Sequence, residues 1–240
     1  MNLKQSLVAL TGLTVALQFA AAGNITGKVT LSGAAPAEKP ITPLKDDVTC
    51  GKLVAGTPTT KFFVVGPNKE LADVVVMLKS DSLKGKSTGA TAAPVVLDQK
   101  GCEYIPQILA VQTGQKILAK NSDPVMHNVH TVPAAGSGNK EDNRPQAAGA
   151  ADLTFTIPAA ENFLKFKCDV HPWMFAYVGV VDHPYFAVTD KDGNFKITGL
   201  PAGEYTVEAV HRKAGAATEK VTVGADDKKT ASFTLKVPTP

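Results

Sequence analysis

The segment Asn162–Val181, NFLKFKCDVHPWMFAYVGVV, contains two strand-like runs joined by a short loop. Aromatic and β-branched residues dominate both runs, and this composition predicts a β-strand on each side of the loop. The loop places Cys168, His171 and Met174 at successive intervals of three residues. A thiol, an imidazole and a thioether therefore share one turn of the chain.

This set of side chains predicts a copper site. Soft sulfur ligands combined with imidazole suit copper, and a blue-copper site uses two His, one Cys and a weak axial Met. The loop supplies three of these four, and His127 is our candidate for the fourth, because it follows the turn 121–124 at the end of a predicted strand. His130 lies three residues further on, and an odd separation points the two side chains to opposite faces of a strand. We therefore expect His130 to be structural or hydrogen-bonded.

The ligand motifs resemble those of the cupredoxins, the blue copper proteins of the plastocyanin, amicyanin and pseudoazurin type. The motifs are His127-Asn128-Val129-His130, Leu153-Thr154-Phe155-Thr156 and Phe166–Met174. The resemblance covers residues 94–182 and implies a Greek-key β-sandwich with one type 1 copper. The residues that it implies as ligands are His127, Cys168 and His171 in the equatorial plane and Met174 in the axial position. Asn128 is implied as the residue that ties the two ligand loops together. The turn at 158–163 departs from the family pattern.

The flanking segments resemble a second family, the carboxypeptidase regulatory-like (transthyretin-like) sandwich. The matching segments are Gly27–Leu31, Asp73–Leu78 and Thr189–Val207. We therefore predict an all-β chain with a cupredoxin Greek-key sandwich and a second Ig/transthyretin-like sandwich. The simplest account is an insertion, with residues 23–93 and 183–240 forming the second sandwich around a cupredoxin domain at 94–182. The rival account is two sandwiches in series, with residues 23–80 adding a sheet to the cupredoxin.

Three further segments carry structural predictions. Residues 61–65 have the composition of a strand, whereas residues 134–151, rich in Gly and Ala, predict a long mobile loop. Tyr185–Thr189 and Asn194–Ile197 are expected to form a hairpin about the Asp-Gly turn at 190–193.

Residues outside the ligand set receive structural interpretations. We expect Met77 and Met126 to be packing residues. His183 is interpreted as a turn residue and His211 as a surface residue of a strand.

The first 22 residues have the pattern of a secretory signal peptide. Lys4 precedes an uncharged apolar run at 7–19, and three alanines at 20–22 predict cleavage before Gly23. The run is short for a membrane span, although an uncleaved anchor is the alternative. We therefore expect a periplasmic or secreted protein with no span after cleavage.

The three cysteines fit an oxidising compartment. If Cys168 holds a metal, Cys50 and Cys102 remain for one possible disulfide. Closing so long a loop contributes about 4 kcal/mol in the chain-entropy model.

Charge and motifs exclude several classes of function. Lys and Arg number 25 against 22 Asp and Glu, a net charge of +3, and removal of Lys4 leaves +2. A net charge this small, without a dense run of Lys and Arg, does not predict a nucleic-acid-binding surface. The sequence also lacks the phosphate-loop and haem-attachment motifs, so we do not expect an enzyme.

The predicted function is transfer of single electrons between redox partners, and a c-type cytochrome or a periplasmic dehydrogenase is the expected kind of partner. Electrons are expected to leave through an exposed edge of His171, with Pro172, Trp173 and Phe175 as an apolar docking patch. The alternative is copper binding or storage, or a cell-surface interaction module, without electron transfer.

Overall fold

A computed structural model describes residues 22–237, so the predicted signal segment, apart from Ala22, lies outside the described residues. The strands are β1 (Gly23–Ser32), β2 (Val75–Lys79), β3 (Val95–Gln99), β4 (Tyr104–Ile105), β5 (Ile108–Gln112), β6 (Lys116–Asn121), β7 (His127–Val132), β8 (Asp142–Gln146), β9 (Leu153–Thr156), β10 (Glu161–Lys167), β11 (Phe175–Val181), β12 (Phe186–Val188), β13 (Asn194–Leu200), β14 (Gly203–His211), β15 (Gly215–Val223) and β16 (Lys228–Lys236). The helices are α1 (Thr42–Asp46) and α2 (Cys50–Leu53), with 3-10 turns at Asp81–Leu83 and Gly89–Thr91. Among residues 22–237, no helix is both long enough and apolar enough to cross a membrane.

Strands β3–β11 form what we call the central sandwich. One sheet has the order β5-β11-β10-β7-β8, and the facing sheet has the order β4-β3-β6-β9. Residues alternate between buried and more exposed along β10, as expected for a strand with one face on a core. Leu164 and Phe166 on that face are fully buried and pack with Ile117 of the other sheet. Burial of such a side chain stabilises the fold by about 1.5–3 kcal/mol.

The remaining strands form the flanking sandwich. Its sheets have the orders β13-β1-β16 and β12-β2-β14-β15. Strand β1 runs parallel to β16 with residues 24–32 opposite residues 228–236, and β2 pairs antiparallel with β14. Strands that precede the central sandwich in the chain therefore share both sheets with strands that follow it. The all-β prediction of two sandwiches is confirmed, while the exact domain bounds stay a prediction.

The two sandwiches meet through an apolar cluster. Val75 and Met77 of β2 pack with Ile108 of β5 and Val181 of β11. The sheets approach closely at Gly179, where an added Cβ would lie 3.2 Å from both γ-carbons of Val75. The predicted packing role of Met77 is therefore confirmed, and its place is the contact between the sandwiches.

Residues 40–60, here named the strap, connect β1 and β2 by way of α1 and α2. A bridge between Pro40 and Thr59 closes the base of the strap. Inside it, Gly51 is required by close packing, because an added Cβ would lie 2.2 Å from the carbonyl oxygen of Lys45. The buried side of the strap packs Leu44 and Cys50 against the central sandwich.

Two of the segment predictions are wrong. Residues 61–65 form no regular strand and make only an isolated bridge at Val65, and the Phe63 amide donates to the Glu38 carboxylate at 2.7 Å instead of to a neighbouring strand. The predicted mobile loop at 134–151 contains β8, which pairs antiparallel with β7. Strand β8 lies at the edge of its sheet, which tolerates Pro145, a residue that makes the sequence look like a loop.

The predicted hairpin at 185–197 is also wrong in its pairing. The turn forms, with Gly193 N donating to Asp190 O at 2.9 Å and Asp190 N donating to Asn194 O at 3.0 Å. However, β12 pairs with β2 in one sheet, whereas β13 pairs with β1 in the other. The turn therefore carries the chain between the two layers of the flanking sandwich.

Candidate metal centre

Three predicted ligand atoms converge at one end of the central sandwich. His127 begins β7 and Cys168 follows β10, and these two strands are antiparallel neighbours. Nδ1 of His127 lies 3.0 Å from Nδ1 of His171, and Cys168 Sγ lies 3.9 Å and 3.6 Å from these two nitrogens. The centre of this triangle is about 2 Å from each corner, close to the length of a metal–imidazole or metal–thiolate bond. The residues therefore fit a single ion bound by two imidazoles and one thiolate.

The loop that carries the ligands is closed by its own backbone. Cys168 N donates to Met174 O at 3.0 Å, and Met174 N donates to His171 O at 2.9 Å. These bonds fold Met174 back beside Cys168, and both side chains are buried in the same core cluster. Met174 is thereby placed in the central core together with Cys168.

Asn128 links the two chain segments that carry the ligands. Its Oδ1 accepts from the amide of Asp169 at 2.7 Å, and its Nδ2 donates to Asp169 Oδ2 at 2.9 Å and to Asn143 Oδ1 at 2.7 Å. Asn128 Oδ1 also lies 3.3 Å from Cys168 Sγ. The contacts are those that a residue tying the ligand loops together has to make.

The surroundings of Cys168 favour its thiolate. Burial raises the pKa of the thiol, but the hydrogen bond with His127 and backbone N–H groups of Asn128, His171 and Val170 lower it below its usual value. These donors stabilise the thiolate, which is the form of cysteine that binds a metal.

Asp123 orients the first histidine. Its Oδ2 lies 3.0 Å from Nε2 of His127, and the same carboxylate accepts from the amides of Gly101 at 2.6 Å and Cys102 at 2.8 Å. Because a carboxylate only accepts, Nε2 of His127 carries a proton and donates it to Asp123, while Nδ1 faces the triangle. Burial opposes protonation of His127, yet Asp123 and Cys168 together raise its pKa to about 9. Burial and the neighbouring charge on His127 lower the pKa of His171.

A disulfide lies against the second histidine. Cys50 and Cys102 are joined with a Cα–Cα distance of 5.7 Å, and both sulfurs lie within 4.8 Å of a ring nitrogen of His171. Trp173 packs on the His171 ring with centroids 5.3 Å apart, and its Nε1 donates to Cys102 O at 3.1 Å. The strap is thus fixed across the edge of the site.

The expectation of an exposed His171 edge is therefore wrong. His171 is only 7% exposed, because the disulfide, Trp173 and the strap enclose it. Of the predicted docking patch, Pro172 is exposed, whereas Trp173 and Phe175 are half-buried.

The interpretations of the other histidines have mixed outcomes. His130 is hydrogen-bonded, with Nδ1 2.8 Å from Asp169 Oδ2, as expected. His183 lies in the bend after β11, but it is buried and its Nε2 lies 2.8 Å from Leu78 O. The surface interpretation of His211 is wrong, because its ring is buried against Phe63, with centroids 5.2 Å apart.

Met126 also departs from its predicted role. Its side chain is 52% exposed and therefore does not pack in a core. It lies just before β7 and so is not part of the strand that carries the buried His127.

Two parts of the site were missed in the sequence. The sequence predicts Asp123 only as a turn residue, and its position four residues before the candidate ligand His127 is the signal that could have found it. The strap is the second part. The predicted disulfide between Cys50 and Cys102 forms, but no local pattern in the sequence places it against His171.

Comparison with known proteins adds two resemblances. Residues 172–236 match the carboxypeptidase regulatory-like domain. That stretch begins inside the ligand loop and runs to the end of β16, and it confirms the second of the family resemblances predicted from the sequence. No curated protein matches the sequence.

Several solved structures are similar to part of the chain. A reduced amicyanin variant is 25% identical, with a TM-score of 0.33 over 44% of this chain and 97% of that one. An oxidised amicyanin variant is 23% identical, with a TM-score of 0.32 over the same shares. The Cu-containing nitrite reductase of Thermus scotoductus SA-01 is 18% identical, with a TM-score of 0.33 over 40% of this chain and 25% of that one. Amicyanin is among the proteins that the sequence motifs resemble, but at these TM-scores the likeness supports no statement about what this chain binds.

Proposed function

We propose that this chain is an exported type 1 copper protein that passes single electrons between redox partners. The observation that supports this most directly is the buried triangle of His127 Nδ1, His171 Nδ1 and Cys168 Sγ, with sides of 3.0, 3.6 and 3.9 Å. Two imidazoles and a thiolate in one plane, beside a thioether, are the donor set of a blue-copper site.

The roles of the side chains follow from their positions. His127, Cys168 and His171 would hold the ion, and Met174 would be a weaker fourth donor. When bound, copper would supply a couple of two oxidation states that differ by one electron. Asp123 and Asn128 keep the donors in place, so the protein has little to rearrange when the charge at the site changes. The burial of every ligand side chain excludes water from the site.

We propose a carrier rather than an enzyme because the candidate ligands are buried. A catalytic metal site keeps a coordination position open to substrate, whereas here all four candidate ligands are buried and the strap encloses His171. A c-type cytochrome or a periplasmic dehydrogenase remains the proposed partner. Because the strap encloses His171, a partner would approach this part of the surface through the strap, where Val48 and Leu53 are exposed. Interfaces of this kind are small and transient.

Spectroscopy and voltammetry test the proposal together. The protein is titrated with Cu(II), and the expected result is an intense visible thiolate-to-copper band that saturates at one ion per chain, with a reversible one-electron wave. Cys168→Ser should abolish the band, and Cys50→Ser with Cys102→Ser should retain it. Copper that binds without the band and the wave would contradict electron transfer and favour the storage role.

A further inference from the structure

Strands β7 and β10, which carry the chain to His127 and Cys168, pair with each other at a distance from the metal centre. The last pair in their register is Lys167 opposite His130. Both ligands lie beyond this pair, because His127 is the first residue of β7 and Cys168 follows the end of β10. The ladder of backbone hydrogen bonds between the strands therefore does not by itself fix the distance between the two ligands.

The hydroxyl of Tyr104 bridges the two strands at the end of this ladder. Tyr104 Oη lies 3.3 Å from the carbonyl oxygen of Asn128 and 3.4 Å from that of Lys167. Asn128 directly follows His127, and Lys167 directly precedes Cys168. A hydroxyl has one proton to donate, so the two carbonyl oxygens share it. The hydroxyl therefore contacts the residue next to each ligand, one on either strand.

Tyr104 belongs to the facing sheet and is firmly held in it. Its backbone pairs with Gln99 of β3, and its side chain is 3% exposed, in the same core cluster as Cys168. Two residues before it, Cys102 is held by the disulfide and donates its amide to Asp123 at 2.8 Å. Burial raises the pKa of Tyr104, so the hydroxyl keeps the proton that it donates. The hydroxyl is thus a fixed donor between the two ligand strands.

We propose that Tyr104 is a positioning residue of the metal centre, which holds the strands of His127 and Cys168 at the separation that the ion requires. The inference rests on the proposed copper site, although the contact is made by the protein without a metal. Asn128 links the ligand segments through its side chain, which accepts from the amide of Asp169. Tyr104 instead acts on the backbone, from the other sheet. Loss of its hydroxyl should therefore let the two strands move apart more often, with the Asn128 link still in place.

Tyr104→Phe and Tyr205→Phe form a matched pair of variants. Each removes one hydroxyl and keeps a buried ring, and the hydroxyl of Tyr205 donates to Pro201 O at 2.8 Å in the flanking sandwich. The two variants therefore lose the same kind of contact, one beside the metal centre and one far from it.

The first measurement uses the full chain without metal. Cys168 is buried and free, and the other two cysteines are paired, so the rate of its alkylation by iodoacetamide reports how often the ligand strands open. We expect Tyr104→Phe to raise this rate about fivefold, the typical value of one hydrogen bond. Tyr205→Phe should change it less than twofold. Unfolding of the whole chain would raise the rate in both variants, so the difference between them isolates the local contact.

The second measurement is the affinity for Cu(I), by competition with a chelator. Tyr104→Phe should bind about fivefold more weakly than the unmodified chain, and Tyr205→Phe should bind equally well. Absence of the visible band in the copper titration would contradict the proposed electron transfer, whereas the alkylation rates test Tyr104 independently of it. Equal alkylation rates in the two variants, or equal affinities for Cu(I), would overturn the proposal.

NMR of the unmodified chain replaces Tyr104→Phe if that variant does not fold. The hydroxyl proton of Tyr104 should then exchange slowly enough to be observed, and its signal should shift on addition of Cu(I). A signal that does not move would overturn the proposal.

Discussion

Asp123 Oδ2 and His127 Nε2 lie 3.0 Å apart, and both side chains are buried. This contact fixes which nitrogen of His127 faces Cys168 and His171. The same carboxylate holds the amide of Cys102, so it also ties the histidine to the disulfide that encloses the site. Removal of the carboxylate therefore affects both the ligand and its cover.

Asp123→Asn should weaken copper binding by about 10–100-fold, the usual effect of losing an outer contact to a metal-bound histidine. The amide can no longer accept all three hydrogen bonds that Asp123 receives. Competition with a chelator of known affinity measures the change. Asp152→Asn, in an exposed loop, is the matched control. Equal affinities for the two variants would show that Asp123 does not orient the ligand.

Met174→Leu should keep the visible band and raise the reduction potential. The axial thioether is a weak donor, and its loss destabilises the more highly charged oxidised ion more than the reduced one. Leu has a similar volume, so the fold should lose less than about 1.5 kcal/mol. Voltammetry on the copper-loaded variant measures the potential. Loss of the band would mean that Met174 determines the geometry of the site rather than its axial field.

Removal of the disulfide should release the strap. Cys50→Ser with Cys102→Ser opens a loop with a sequence separation of 52 residues. The chain-entropy model gives a loss of about 4 kcal/mol in the free energy of unfolding. Guanidinium unfolding measures this loss, and a red shift of Trp173 fluorescence is expected as the cover of His171 loosens. The disulfide would be irrelevant to the enclosure of the site if the stability fell without any shift in emission.

Acid should destabilise the flanking sandwich through His211. Burial, with a smaller contribution from Arg212, lowers the pKa of His211 to about 4 in the folded protein, against about 6.5 in an unfolded chain. The unfolded state therefore binds the proton more tightly. The free energy of unfolding has its full value above pH 6.5 and decreases as the pH falls towards 4. The loss at pH 4.5 relative to pH 7 should be about 2–3 kcal/mol.

Unfolding of the unmodified protein and of His211→Gln across this pH range measures the effect. Gln does not titrate, so the variant should show a smaller loss of stability in acid, even if it is less stable at neutral pH. Parallel curves for the two proteins would assign the acid sensitivity to other groups.

The strands beside the metal loop and the candidate ligands could be predicted from local sequence. The strands on either side of Cys168 and Met174 follow from residue type and alternation, which act within a few residues. The spacing of Cys168, His171 and Met174 in the sequence also limits the distances between their side chains, because the loop that carries them is short. His127 was identified from a turn and a strand end. In each case the deciding interactions are local, so the sequence contains them directly.

The tertiary structure alone decided what surrounds the ligands. The pairing of Cys50 with Cys102 brings the strap against His171, and this makes the predicted exposed edge a buried one. Strand β8 forms because it pairs with the edge of β7. Strands β12 and β13 lie in different sheets because β12 pairs with β2 and β13 pairs with β1, and both partners come much earlier in the chain. His211 is buried for the same reason, since Phe63 comes from a distant segment. Contacts between residues far apart in the chain depend on how whole sheets pack, and no local pattern of residue types specifies that packing.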